Sequence, residues 1–296
     1  MAVATDQQKV DLREPRSWRR AKSRIATVAM VIAFLLTIIP LGFVLYTVIS
    51  KGASIISGQF LTSSIPPSVL PANVGGMGPA VLGTILITAL ATVMAVPIGI
   101  LAAIYINEYG GNQFLTRFIR FMADVMTGVP SIIMGLFIFA IWVIHFGYSG
   151  LAGAFALGCL MLPVVIRSSE EMLKLVPAAL REASYALGAS KARVTLTVVL
   201  PAALSGIVSG SLLAVARAAG ETAPVLFTIF TVTSANPNVF SGPNTTLAAQ
   251  IFANASQPYV GAQARGWGAA LTLVAIAFIL MIAARLVTGR VTQSPR

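Results

Sequence analysis

Six apolar runs, each near the roughly 20 residues a helix needs to cross the hydrocarbon core of a bilayer, constrain this chain more than any other feature. They lie at Ile25–Ile49, Ala80–Ile106, Val125–Phe146, Leu151–Ile166, Ala202–Val232 and Trp267–Thr288. A spanning segment meets no water and must satisfy its backbone internally. The fold class follows: all-α, a polytopic membrane protein with six transmembrane helices. A chain of 296 residues that is 57% hydrophobic and 10% charged does not make a soluble domain.

The net charge of +11 invites a nucleic-acid reading, and the placement of the charges removes it. Of the 20 Lys and Arg, seven precede the first run (Lys9, Arg13, Arg16, Arg19, Arg20, Lys22, Arg24). Arg117 and Arg120 lie between the second and third runs, and Arg167, Lys174, Arg181, Lys191 and Arg193 between the fourth and fifth. Arg285, Arg290 and Arg296 are at the C-terminal end, whereas the alternate loops hold only Lys51 and Arg265. Seventeen against two is a topological bias that puts both termini in the cytoplasm. The basic residues follow the membrane side and form no patch for nucleic acid.

This topology divides the chain. Residues 1–24 are a cytoplasmic basic segment and 25–49 the first span, an uncleaved anchor, because no small-residue cleavage site closes the run. Residues 50–79 form an extracytoplasmic loop rich in Ser, Pro and Gly, with Pro66, Pro67, Pro71, Gly75, Gly76 and Gly78. Such a loop either closes over the outer mouth or docks a soluble partner. Residues 80–288 are the core, with a cytoplasmic loop at 167–201 and an external segment at 233–266, and 289–296 are a cytoplasmic tail. In the external segment Thr245–Ala255 is expected to form a short helix at the outer leaflet, capped by Asn244 or Thr245.

Inside the spans, Pro97 and Gly99 predict a kink in the second. The third opens with Asp124 and then Gly128-Val129-Pro130-Ser131, a broken helix start. Such a break is tolerated at membrane depth only against protein or a water-filled cavity, and so marks either a transport pathway or a kinked packing helix. The fifth carries Arg217 about 22 Å into its helix at 1.5 Å per residue, near mid-membrane. An Arg there costs on the order of 2.5–3.5 kcal/mol and calls for a partner or water. Glu221 is one helical turn on. The two are either a structural ion pair or an anion contact in which Glu221 holds the guanidinium until substrate arrives. Arg167 is a second candidate cation. Gly206 and Gly210 give a small-xxx-small face expected to meet a partner permease. His145 reads as an interface residue, and Cys159, the one cysteine, as packing without a disulfide.

No enzyme constellation is present. One His and one Cys do not build a usual structural zinc site, and there is no GxxxxGK[ST] loop, so no metal or cofactor is expected and energy must come from another chain.

The cytoplasmic loop carries the remaining signal. Ser168 and Glu171 have capping-box spacing, Pro177 suits the first turn of a helix, and Gly188 suits a left-handed C-terminal cap after Ala178–Leu187. Ser190 is placed to cap a helix that runs to Leu200 and breaks at Pro201. An amphipathic segment on the membrane surface would explain the apolar residues but not the helix–Gly–helix pattern.

Glu182-Ala183-Ser184, three residues, Gly188, nine residues, Val198, one residue and Leu200-Pro201 resemble the EAA loop of ABC-importer permeases. Ser184 stands for the second Ala and Val198 for Ile. The resemblance implies a coupling helix seated in an ATPase subunit, with Glu182, Ala183, Ser184, Gly188 and Pro201 as its core. Ala216–Leu226 (ARAAGETAPVL), Thr127–Phe137, Leu162–Leu173 and Tyr105–Gly111 further resemble phosphate-specific transport permeases, and the C-terminal TLAAQIFANASQP…RGWGAAL resembles their PstA type. That family implies the type I ABC-importer permease fold and a non-catalytic subunit in the cell membrane. It implies phosphate as substrate and three kinds of partner: a PstB-like ATPase dimer, a PstC-like second permease and a PstS-like phosphate-binding protein. Arg217, Glu221 and Arg167 would then line the substrate pathway. A permease for sulfate, molybdate or a phosphonate, and a proton-coupled transporter using Arg217 and Glu221 as a relay, are the alternatives. The second would show two matching halves, and none is evident.

Overall fold

The computed structural model describes residues 16–66 and 75–292. Lys9, Arg13, Pro67, Pro71 and Arg296, named above, lie outside the described residues. Two units are described separately, one ending at Ser50 and one beginning at Lys51. The first is the body of α1 (Arg16–Gly52), which has Pro40 inside it. The helix already includes Arg16 to Arg24, ahead of the apolar run that begins at Ile25, because the Arg, Lys and Ala residues there are themselves good helix formers.

From Lys51 onward the described residues contain helices and no strand. A short α2 (Gly58–Thr62), capped by the Ser57 hydroxyl, follows α1. Then come α3 (Gly78–Ile104), a π turn at Tyr105–Tyr109 and α4 (Phe114–Gly128). Next are α5 (Ser131–Ile138), a π turn at Phe139–Val143 and α6 (Ile144–Phe146). After them come α7 (Gly150–Lys174), α8 (Ala178–Ala186) and α9 (Lys191–Val194). A π turn at Thr195–Val199 leads into α10 (Leu200–Ala219), followed by α11 (Ala223–Thr228), α12 (Leu247–Ala255) and α13 (Val260–Thr292).

Among the described residues five helices are long and apolar enough to cross a membrane, and a sixth span is reached by counting α4 with Ser131–Phe146, a pair bent by 107°. The third apolar run is therefore not one helix. Val129 is extended, at φ −77° and ψ 128°, because the residue before a proline is driven out of the helical region. The fifth run differs as well. The continuous span is Lys191–Ala219, not Ala202–Val232; it stops at Gly220 and resumes at Ala223. Pro224 falls in the first turn of α11, where its missing N–H leaves no helix bond unmade.

Two more boundaries move. The fourth span continues to Lys174, which places Ser168 inside α7, its hydroxyl donating to the Val165 carbonyl at 3.3 Å, instead of at a helix start. Pro201 does not end its helix. It has no N–H for the carbonyl four residues back, and the widened π turn ahead of it absorbs the mismatch, with the Leu200 N–H reaching Thr195. The α12 cap is Thr246, whose hydroxyl accepts from the Ala249 N–H at 3.3 Å, rather than Asn244 or Thr245. That helix is largely buried against the rest of the chain, through Leu247, Ala248, Ala249, Gln250 and Asn254.

The core is built by α3, α7, α10 and α11, through Ile87, Ala91, Ala95, Ala154, Leu157, Met161, Val215, Val225 and Ile229. Apolar transfer gives little drive between helices in lipid, so close van der Waals packing through small residues holds such a core. Gly206 and Gly210 serve that purpose within the chain. A Cβ at Gly206 would stand 2.2 Å from the Met172 sulfur, and one at Gly210 2.5 Å from the Ser168 hydroxyl. Both glycines face α7, so the expectation of a partner-permease face there is overturned.

Candidate functional site

Two breaks in the helices meet at one cavity of about 280 Å³. One wall is the α4–α5 break, Met126 to Ser131; another is Leu160, Met161, Pro163 and Val164; the third is Ala214, Arg217, Ala218 and Glu221. Leu160–Val164 is the middle of α7, so the cavity lies at mid-helix depth. The helices that follow the two breaks are in direct contact: Gly135 of α5 lies so close to Pro224 of α11 that a Cβ on it would stand 2.6 Å from the Pro224 Cα.

Arg217 is in the last turn of α10, and its Nε lies 3.5 Å from the Glu221 carboxylate. Glu221 follows the helix end at Ala219, so the pair spans the break rather than one helical face. The Arg217 side chain is 72% exposed and that of Glu221 20%, which leaves the guanidinium open to the cavity. Across from it is the start of α5, where Pro130 occupies the cap position without a side-chain hydrogen bond. Helix starts of this kind favour anions, through free N–H groups and the helix dipole. A guanidinium and an uncapped helix start around one small cavity suit a compact oxyanion.

Arg167 is elsewhere. It is paired with Asp124 of α4 and, at 3.3 Å, with Glu170, and it does not line the cavity. Glu170, 1% exposed, also receives Arg120 at 2.8 Å and Lys174 at 2.7 Å, so one buried carboxylate fastens α4 to the end of α7. Sequence reasoning missed Glu170, although its cations at i−3 and i+4 on one helix are a spacing from which the role could have been read.

The remaining predicted residues lie on and after α8. Glu182 and Ala183 are exposed, and the Ser184 hydroxyl donates to the Leu180 carbonyl at 2.8 Å. Gly188 has φ +79°, with its N–H bonded to Tyr185 and that of Ala189 to Ser184. This is the Schellman closure that a glycine permits at low cost. Pro201 is at the start of α10. Two residues that sequence reasoning passed over join this loop to the bundle: Arg181 of α8 and Glu108 of the first π turn, 2.9 Å apart. Among the described residues no group of three or more His, Cys, Asp or Glu is arranged to hold a metal ion.

Residues 95–293 match the family model for the binding-protein-dependent transport system inner membrane component. The chain is 41% identical over 281 residues to a Mycobacterium tuberculosis protein named phosphate transport system permease protein PstA 1, covering 94% of this chain and 91% of that one. It is 39% identical over 279 residues to the Yersinia pestis phosphate transport system permease protein PstA, covering 94% of each. Two solved structures share the fold. The inward-facing methionine transporter MetNI does so with TM-score 0.56 at 20% identity, over 74% of this chain and 95% of that one. A bacterial ABC transporter that imports alginate does so with TM-score 0.60 at 13% identity, over 94% and 100%.

Proposed function

The chain belongs to the inner-membrane permeases of binding-protein-dependent ABC importers, and from that premise we propose that it forms half of the translocation pathway of an ATP-driven phosphate importer, as the PstA-type subunit. It has the type I importer permease fold, is a multi-pass protein of the inner membrane, and is itself not catalytic. A separate ATPase hydrolyses ATP, and a binding protein delivers substrate. The observation that carries the phosphate assignment is identity near 40% to phosphate permeases over 94% of the chain. The cavity agrees in kind. Arg217 offers a planar donor suited to tetrahedral oxyanions, and Glu221 holds it when the anion is absent.

The finer roles are part of the proposal. The ATPase is a PstB-like dimer that takes α8 through Glu182, Ala183, Ser184 and Gly188, with Pro201 at the far end of the coupling segment. A PstC-like permease completes the pathway, and a PstS-like protein supplies phosphate. The Lys and Arg asymmetry supports a cytoplasmic location for both termini, α8 and residues 289–296, with 50–79 and 233–266 outside. Arg217 and Glu221 contact the anion, while Arg167 acts from the ion network beside the cavity. The test is reconstitution of the whole complex in proteoliposomes with ATP inside. Labelled phosphate should accumulate and excess sulfate or molybdate should compete poorly. Uptake of sulfate or molybdate in preference to phosphate overturns the substrate assignment, and uptake by this chain alone overturns the ABC reading.

A further inference from the structure

Glu182 marks the coupling segment, yet α8 has no buried residue. A helix that packs so little needs another fastening if it is to transmit a push. The neighbour of Glu182 supplies one. Arg181, its side chain 18% exposed, donates from one terminal nitrogen to the Val176 carbonyl at 2.6 Å. From the other it donates to the Leu173 carbonyl and the Glu108 carboxylate, both at 2.9 Å. Leu173 is in the last turn of α7 and Val176 lies two residues beyond its end, so Arg181 adds a side-chain donor to the backbone bonds that close this helix. Glu108, 4% exposed at its side chain, is held in the π turn that ends α3, and the Asn107 amide donates to it at 2.6 Å.

The attachment falls on a firm part of the molecule. Ala103, Leu173, Val176, Val194, Val199, Ala203 and Ile207 form one apolar cluster that joins the ends of α3, α7, α9 and α10. From there α7 runs unbroken to Leu160–Val164, a wall of the cavity. We propose that Arg181 is the strut through which the coupling helix moves α3 and α7 as one body, with Glu108 as its anchor, so that displacement of α8 reaches the cavity wall. This rests on the reading of α8 as the segment that seats in the ATPase. Arg181 is a positioning residue: it touches neither substrate nor nucleotide. The planar guanidinium serves three acceptors in fixed directions, which a lysine ammonium does not.

The test uses the complete reconstituted complex and five variants: Arg181→Gln, Arg181→Lys, Glu108→Gln, Glu182→Lys and the double variant Arg181→Met with Glu108→Gln. Co-purification of the ATPase, ATP hydrolysis and phosphate moved per ATP are measured. The ATPase should remain bound, because the exposed face of α8 is untouched, and phosphate moved per ATP should fall on the order of tenfold. Arg181→Lys should recover little of that loss. Removing one partner leaves a buried charge unpaired and can impair folding, whereas the double variant leaves none. Normal phosphate per ATP in the assembled double variant, or in either assembled single variant, overturns the strut. Glu182→Lys separates the two readings. If it also leaves ATPase binding and coupling intact, the assignment of α8 as coupling helix fails; if it uncouples while the double variant does not, only the strut fails.

Discussion

Gly135→Ala is a small change with a calculable consequence. The new Cβ would lie 2.6 Å from the Pro224 Cα and 2.9 Å from the Pro224 carbonyl oxygen, where ordinary contact begins at 3.4 Å. The neighbouring atoms are backbone, so no rotamer relieves the clash. The two break segments must part by about 0.8 Å, the difference between 3.4 and 2.6 Å. Overpacking of this kind costs about 1–3 kcal/mol. Gly128→Ala is the internal control: it is at the same break with nothing within 4 Å of its Cβ, and alanine favours the end of α4. The assay is thermal unfolding of the purified complex beside phosphate uptake in proteoliposomes. Gly135→Ala should lower both, whereas Gly128→Ala should leave the stability of the complex unchanged. A Gly135→Ala complex with wild-type stability and uptake would refute the claim that close α5–α11 packing holds the two helices that follow the breaks together.

Glu170→Gln should lower the stability of the complex by about 1–3 kcal/mol, seen as a lower Tm, because Arg120, Arg167 and Lys174 lose their shared carboxylate while keeping some contact with water. An unchanged Tm removes Glu170 from that role. Gly188→Val should weaken ATPase co-purification, since a β-branched residue at φ +79° costs on the order of 1–2 kcal/mol and reopens the end of α8. Full retention of the ATPase would contradict a function for that cap.

Much of this architecture was legible in the order of residues. Long apolar runs and lopsided Lys and Arg counts are direct consequences of bilayer physics. The break at Gly128–Ser131 and the cap at Gly188 follow from residues whose backbone demands are absolute. What escaped was long-range or compensated. Gly220 reads as an ordinary small residue in a membrane helix, so the end of α10 was hidden. Pro201 reads as a stop until a π turn is seen to absorb it. Gly206 and Gly210 announce a close approach without saying to what, and the answer was Met172 and Ser168. Arg181 and Glu108 are 73 residues apart, and no local pattern links them. Arg167 looked like a free cation because Asp124, 43 residues away, was read only as part of a helix start.

The central claim is that Arg217 meets the transported anion. Arg217→Ala in the assembled complex tests it, with uptake of labelled phosphate as the readout and co-purification of all subunits as the control. A charge-assisted hydrogen bond worth about 1.5–3 kcal/mol predicts a loss of roughly 10- to 100-fold in uptake while assembly persists. Undiminished uptake by a fully assembled Arg217→Ala complex would contradict it.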